Sequence, residues 1–160
     1  MAVDMFLKLD GIKGEATDKT HKDDIDVLAW SWGVANAHGA VGKGGGAGKA
    51  NFQDLSFTKY VDKASSQLHM SCATGKHIAK GELFVRKAGG EQLEYIKITL
   101  TDCLISSVST GGSGGEERLT ENVTLSYSKF EFGYQPQNAK GGKEGGEMKW
   151  GYDLKLNQKV

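Results

Sequence analysis

Five consecutive residues near the middle of the chain have the types and spacing of a hydrolase nucleophile. Residues 111–115 read Gly-Gly-Ser-Gly-Gly, which fits the G-x-S-x-G turn that exposes a catalytic serine between a strand and a helix. However, the residues after Ser113 alternate as in a strand, and all four histidines precede it, whereas this class has its histidine downstream. A hairpin turn is therefore the favoured interpretation, and a serine hydrolase using Ser113 is kept as the alternative.

Two other stretches contain residue types that bind ligands, and both lack members of the relevant motif. Residues 42–49 resemble a phosphate-binding loop, but Ala50 stands where the hydroxyl that binds magnesium is needed. His69, Cys72 and His77 offer three loosely spaced metal ligands, whereas a closed zinc site needs four. We therefore predict no catalytic residue, no metal site and no cofactor.

The elements that must position these candidates read mostly as β-strands, because apolar and polar side chains alternate along most segments. Along residues 26–34 the predicted apolar face consists of Leu28, Trp30, Trp32 and Val34. Along residues 148–157 it consists of Met148, Trp150, Tyr152, Leu154 and Leu156. The chain has 23 glycines and one proline, so glycine-rich turns connect these strands.

Two predicted strands are unusually long and one segment is predicted as a helix. Residues 92–108 and 118–135 are long enough to run past a single compact sheet, so these strands can bend at a bulge or extend to a neighbouring subunit. The helix is expected at about residues 64–74, with Gly75 as its C-cap. Its N-cap is expected to be Asp62, Ser65 or Ser66. Many strands with one helix predict a mainly β fold, either a sandwich or a barrel, in a single domain spanning residues 1–160.

The bulk composition excludes some classes of partner. Twenty basic and twenty acidic residues give a formal net charge of zero, which disfavours a nucleic-acid partner and electrostatic docking on a membrane. Residues 1–11 show no signal-peptide pattern, and no apolar stretch is long enough to span a bilayer. Cys72 and Cys103 are expected to be free thiols, so we expect synthesis in the cytoplasm. Because no apolar stretch is long enough, we expect no membrane insertion.

Several blocks of sequence, in order across nearly the whole chain, carry a resemblance to a known family. They are MAVDMFLKLDGIKGE, KTHKDDIDVLAWSWG, QDLSFTKYVDKAS, CATGKH, VRKAGGE, ITLTDCLISSVSTGGSGGEERLTENVTLSYSKFEFGYQPQ and KWGYDLKLN. The stretch from Val108 to Leu125 is the most distinctive, while residues 34–50 depart from the pattern by being rich in glycine. In these blocks the chain resembles the haemolysin-coregulated protein (Hcp) family, the tube subunit of bacterial type VI secretion systems.

The resemblance implies a β-barrel of two sheets with the one helix packed beside it. It implies a structural protein rather than an enzyme, whose hexameric rings stack into a tube that is propelled out of the cell. The ring lumen would bind and carry effectors. The implied partners are further copies of the chain, a spike protein, a contractile sheath and secreted effector proteins, and the implied route is secretion from the cytoplasm without a cleaved signal peptide.

The same resemblance gives individual residues an expected place. Ser31 and Ser113 would face the lumen and contact effectors, while Trp30 and Trp32, on the other face of their strand, would lie in the core. The candidates for contacts between stacked rings are Gly44, Gly45, Gly46, Gly89, Gly90 and Lys155. A stand-alone ligand-binding β-barrel is the second alternative to the tube subunit, beside the Ser113 hydrolase.

Overall fold

The computed structural model describes residues 3–38, 47–88 and 92–160. In these ranges the chain forms twelve β-strands and one α-helix. The strands are β1 (Val3–Leu9), β2 (Ile25–Asp26), β3 (Ala29–Ser31), β4 (Val34–His38), β5 (Ala47–Phe52), β6 (Leu55–Tyr60), β7 (Ile78–Lys87), β8 (Glu94–Thr110), β9 (Thr120–Ser126), β10 (Lys129–Tyr134), β11 (Met148–Asp153) and β12 (Gln158–Lys159). The helix α1 is Ser65–Thr74. In the part of the chain that the structure describes, no helix has the length and apolar character needed to cross a membrane.

Strand β8 organises the fold because its two halves belong to different sheets. Residues 94–103 pair with β7 on one side and, over much of their length, with β10 on the other. Residues 104–110 pair with β9 instead. At the transition Asp102 has a φ of 55°, in the left-handed region that non-glycine residues rarely adopt. The prediction that the long segment at 92–108 reaches beyond one sheet is therefore confirmed.

Residues 25–31 close the two sheets into a barrel. Strand β2 pairs with β1, and β3 pairs with β6, all antiparallel. Between them the N–H of Val27 donates to the carbonyl of Met5 at 3.0 Å, and the N–H of Leu28 donates to the carbonyl of Thr58 at 2.8 Å. This one segment thus bonds to both sheets, and β1, β7, β8, β9 and β6 complete the circuit. The predicted two-sheet β-barrel is confirmed, and β10, β11 and β12 extend its first sheet.

The barrel interior is filled by the inward-facing residues of each strand. On β6, Leu55 and Phe57 are at most 2% exposed, and on β9 Val123 and Leu125 are fully buried. Their neighbours in sequence point outward because successive side chains of a strand alternate. Burial of such side chains stabilises the fold by about 1.5–3 kcal/mol each. The same cluster includes Leu7, Leu9, Ile25, Leu68, Leu83, Ile98, Leu100, Cys103 and Phe130.

The helix forms where it was predicted, but its N-terminus differs from the prediction. Gly75 caps the C-terminus with a φ of 65°, as expected. The N-cap residue is Ala64, so the prediction of a side-chain cap at Asp62, Ser65 or Ser66 is wrong. Instead the carboxylate of Asp62 accepts a hydrogen bond from the N–H of Ala64 at 2.9 Å. The same carboxylate forms an ion pair with Lys59. Burial of Leu68 fixes the helix against the barrel.

Three predicted strands are shorter than their alternation suggested. Residues 26–34 are divided among β2, β3 and β4 because the chain crosses between sheets there, and Leu28 and Val34 are exposed rather than in the core. Residues 118–135 are divided into β9 and β10. The last predicted strand ends at Asp153, and Leu156 lies 65% exposed in the turn that follows. In each case the alternation continued through a turn that side-chain pattern alone does not reveal.

Candidate functional site

The segment that contains Ser113 is a hairpin connection. Strands β8 and β9 pair antiparallel up to Thr110 and Glu121, and residues 111–119 join them. A strand therefore follows Ser113, whereas the nucleophile turn requires a helix. Packing within the hairpin explains the glycine before the serine, because a Cβ atom at Gly112 would overlap the side chain of Leu119. The hairpin interpretation is confirmed, and the serine hydrolase loses its structural basis.

The second sheet consists of β3, β6, β9 and the C-terminal half of β8. Its outer face carries two rows of small, uncharged side chains. In one row Ser31, Ser56, Thr124 and Ser107 are neighbours across β3, β6, β9 and β8. In the next row the neighbours are Ala29, Thr58, Asn122 and Ser109. At the usual strand spacing the four strands span about 14 Å. We call these eight residues the hydroxyl face.

Hydrogen bonds between side chains knit the hydroxyl face together. The hydroxyl of Thr58 donates to Oδ1 of Asn122 at 2.7 Å. A register shift in β8 places both Ser106 and Ser107 beside Thr124, with hydroxyl distances of 2.6 and 2.7 Å. Many hydroxyls therefore already have a partner within the protein. Such a surface offers hydrogen bonds to a visiting protein without presenting strongly unsatisfied groups.

The structure brings Ser31 and Ser113 to the same part of the surface. Both side chains are exposed. Ser31 lines a shallow depression with Ser56, Thr58 and Asn122, and Ser113 lines a second one with Ser109 and Asn122. Because Asn122 borders both depressions, the two serines predicted to act together lie on one continuous surface.

A buried ionic network lies directly behind this surface. The ammonium group of Lys59 pairs with Glu121 at 2.6 Å and with Asp62 at 2.8 Å, and both Lys59 and Glu121 are fully buried. Glu121 also accepts hydrogen bonds from the hydroxyls of Ser65 at 2.6 Å and Thr110 at 3.0 Å. Burial opposes its ionisation, but these donors hold the pKa of Glu121 below its ordinary value. The network joins β6, β9, the end of β8 and the start of α1.

Aromatic side chains hold the connection that follows Ser31, between β3 and β4. The indole N–H of Trp32 donates to the hydroxyl of Tyr127 at 2.5 Å, and that hydroxyl donates to the carbonyl of Gln53 at 2.7 Å. Burial raises the pKa of Tyr127 to about 12, against the opposing effect of the Trp32 hydrogen bond. Trp30 and Trp32 are half-buried and pack against the core cluster, in agreement with their predicted side of the strand.

A second charged cluster fastens the segment between β1 and β2 to the first sheet. The imidazole of His21 lies between two carboxylates, with Asp24 at 2.9 Å and Glu94 at 2.5 Å. Arg86 pairs with Asp18, whose pKa this contact lowers to about 2, although burial opposes the shift. The ring of His21 also stacks on Phe6, at 4.6 Å between ring centroids. These contacts tie residues 18–24 to β7 and β8.

Of the three candidate metal ligands, the two histidines have other partners and Cys72 is a half-buried free thiol. His69 contacts the carbonyl of Ser65 at 2.7 Å and the hydroxyl of Thr110 at 2.9 Å, while His77 contacts Asp102 at 3.0 Å. Within the ranges that the structure covers, no group of three or more His, Cys, Asp or Glu residues could hold a metal ion. Cys103 is a buried free thiol, and burial raises its pKa to about 12.

Only one of the ring-stacking candidates lies in a described part of the chain. Lys155 is exposed in the turn after β11, where its N–H donates to the carboxylate of Asp153 at 2.9 Å. The glycines proposed for the same role, Gly44, Gly45, Gly46, Gly89 and Gly90, lie outside the described residues. Their role in stacking stays a prediction.

Sequence reasoning missed most of the hydroxyl face. It singled out Ser31 and Ser113 but not the six residues on the three other strands of the two rows. These are Ser56, Thr124 and Ser107 beside Ser31, and Thr58, Asn122 and Ser109 beside Ala29. The usable signal was the small polar residue at every second position of β6 and β9, opposite the buried apolar positions. What the sequence did not show was the register that places these residues side by side.

Comparisons with known proteins agree with the architecture. Residues 6–134 match the family described as "Type VI secretion system effector, Hcp". A relative named Protein hcp1 from Pseudomonas aeruginosa is 58% identical over 159 residues, which cover 98% of each chain. A solved structure of a type six secretion system protein superposes with a TM-score of 0.93 at 31% identity, over 99% of this chain and 100% of that one. Hcp1 from Salmonella typhimurium gives a TM-score of 0.80 at 39% identity, with full coverage of both chains.

Proposed function

Since this chain belongs to the Hcp family and is a subunit of the type VI secretion tube, we propose that six copies form a ring whose lumen is lined by the hydroxyl face. The observation that carries the proposal is the combination of the family match with two adjacent rows of short, uncharged side chains around Ser31. Stacked rings then form a tube whose wall repeats this surface in every subunit. The subunit has a structural role and is secreted with the apparatus.

The chemistry of the hydroxyl face suits the transport of folded cargo. Its side chains are short, so they leave the lumen open and lose little conformational entropy when a protein contacts them. Each contact is weak, and binding to many such contacts permits both retention during assembly and release after delivery. Ser31 and Ser113 contact effectors in this proposal, as parts of the same surface.

The remaining partners follow from the family and are part of the proposal. A spike protein caps the tube, a contractile sheath surrounds and drives it, and effectors travel in the lumen. We further propose that the protein is made in the cytoplasm and leaves through the apparatus without a cleaved signal peptide. Mass spectrometry of the secreted protein tests the last point, because the intact N-terminal peptide is expected and a shortened one would contradict it.

Electron microscopy of the purified protein in negative stain tests the assembly. We expect six-membered annuli with an open centre. A protein that stays monomeric at high concentration in analytical ultracentrifugation would overturn the ring and favour a stand-alone ligand-binding barrel.

Deletion of residues 42–48 is expected to spare the rings and to reduce their stacking into tubes.

A further inference from the structure

Asn122 lies where two depressions meet, one within the hydroxyl face and one between that face and the β8–β9 hairpin. It lines the depression that contains Ser31 and the depression that contains Ser113, and among the described residues no other lines both. Its neighbours across the sheet are Thr58 on β6 and Ser109 on β8. A cargo segment that contacts both serines must therefore pass over the exposed side chain of Asn122.

The amide of Asn122 is held in one orientation. The hydroxyl of Thr58 donates to its Oδ1 at 2.7 Å. In this arrangement Oδ1 faces Thr58 and accepts its hydroxyl proton, so the amide nitrogen points away from that hydroxyl. The two N–H donors of Nδ2 are then available to another partner.

The surroundings define which kind of acceptor those donors can bind. The Ser31 depression is lined by alanine, serine, threonine, asparagine and apolar side chains, with no ionisable residue among them. The nearest ionised groups on the same strands, Lys59 and Glu121, point inward and bond to each other. In this depression a charged group on a cargo protein would lose hydration without gaining an ionic partner, which is unfavourable. The Ser113 depression on the other side of Asn122 is lined by Glu116, whose carboxylate would repel an anionic acceptor.

From these contacts we propose that Asn122 is a further cargo-contacting residue, and that Thr58 is the residue that positions it. The N–H donors of Asn122 bind uncharged oxygen acceptors on the effector: main-chain carbonyls and the oxygens of amide or hydroxyl side chains. The inference rests on the proposed function, because it requires the hydroxyl face to line the lumen. A ring repeats this donor in every copy, so individually weak hydrogen bonds act together on one cargo molecule.

The test uses a type VI effector from the bacterium that encodes this chain. The effector is chosen as one whose level in the cell falls when the gene for this chain is deleted. The effector is produced together with the tube protein, and the amount that co-purifies with the rings is measured. We expect Asn122→Ala and Asn122→Asp to lower it by about threefold to tenfold, the effect of losing one hydrogen bond at each site.

Thr58 separates a positioning role from a purely structural one. Thr58→Val keeps the shape and strand preference of the side chain but removes the hydroxyl, so we expect folded rings that retain less effector. Thr58→Ser keeps the hydroxyl and is expected to retain effector as the wild type does. Equal retention by Thr58→Val and Thr58→Ser would overturn the positioning role. Ser66→Ala, on the exposed side of α1, is the matched control for a surface substitution away from the face.

Two outcomes distinguish this inference from the function on which it rests. If Ser31→Gln lowers retention but Asn122→Ala and Asn122→Asp do not, the role of Asn122 is wrong and the lumen assignment stands. If Ser31→Gln also has no effect, the lumen assignment fails and the inference falls with it. Retention is further expected to change by less than about twofold between about 0.05 and about 0.5 M NaCl, because screening acts on charge contacts. A tenfold loss over that range would overturn recognition through uncharged acceptors.

Discussion

Thr58 and Asn122 lie one residue away from Lys59 and Glu121, yet the two pairs build opposite environments. The outward pair is accessible, uncharged and joined by a hydrogen bond of 2.7 Å. The inward pair is fully buried, ionised and joined at 2.6 Å. Because side chains alternate along a strand, one step along β6 or β9 passes from one environment to the other. The barrel wall thus uses charge inside to fasten its elements together, while the Ser31 depression outside has no ionisable residue in its lining.

The largest expected effect comes from breaking the inward pair. Lys59→Met leaves the buried carboxylate of Glu121 without its cation, and a lone buried charge costs about 3–5 kcal/mol of folding free energy. We expect a loss of that size in urea unfolding monitored by tryptophan fluorescence. Lys63→Met, at an exposed lysine next to α1, is the control and is expected to change stability by less than about 0.5 kcal/mol.

A double variant shows whether the cost comes from the unpaired charge. Lys59 also pairs with Asp62 at 2.8 Å, so the comparison is made in an Asp62→Asn background, where Lys59→Met combined with Glu121→Leu removes every ion of the network. Apolar replacements of a buried pair are often nearly neutral. We expect the double variant to regain most of the stability lost in Lys59→Met. A double variant as unstable as the single one would show that the network contributes through its hydrogen bonds to Ser65 and Thr110 rather than through charge.

Acid should weaken the inward network while leaving the outward face unchanged. The pKa of Glu121 lies below the ordinary value of 4.5 in the folded protein. A carboxylate with a lowered pKa stabilises the fold above its unfolded-state pKa, and that contribution is lost as the pH falls through the folded-state value. We expect wild-type stability to decline below pH 4.5 more steeply than that of Glu121→Gln in urea titrations at several pH values. Parallel curves would contradict this role for Glu121.

A smaller effect is expected where the hairpin joins the hydroxyl face. In Gly112→Ala the new methyl group would overlap Leu119, whose side chain must move, at a cost of about 0.5–1.5 kcal/mol. Gly114→Ala is a matched control in the same hairpin, because a Cβ atom there meets nothing within 4 Å. Thermal unfolding of the two variants side by side measures the difference. Equal stability would show that Leu119 does not pack on Gly112.

The smallest effect on stability is expected at the two serines proposed to contact effectors, Ser31 on the hydroxyl face and Ser113 in the hairpin beside it. Ser31→Gln and Ser113→Gln add bulk at exposed positions, so each should change the folding free energy by less than about 0.5 kcal/mol. Both should nevertheless lower the amount of effector that rings retain. A substitution that dissolved the rings would instead place its residue in a contact between subunits.

The same two strands show how far the sequence predicts this molecule. Alternation along β6 and β9 predicts strands with Phe57 and Val123 inside, and the glycines at 111–115 predict the hairpin between β8 and β9. The alternation of apolar residues does not predict that Lys59 and Glu121 occupy inward positions. A buried charge is tolerated only when a partner of opposite charge lies beside it, and here that partner comes from another strand.

Long-range partners also account for the errors at the helix and at β3. The N-cap prediction considered only local sequence, whereas the hydroxyl of Ser65 bonds to Glu121, 56 residues further along the chain. Leu28 follows the apolar alternation but is exposed, because its segment bridges the two sheets and no longer lies on one continuous strand. Strand register and sheet closure depend on pairing between distant residues, which local pattern does not encode.

Cryo-electron microscopy of the assembled rings tests the central claim most directly, because it shows which face of the barrel lines the channel. We predict that Ser31, Ser113 and Asn122 face the open centre and that Lys59 and Glu121 remain buried within each subunit. Rings that place the hydroxyl face on their outer surface, or bury it between neighbouring subunits, would contradict the account.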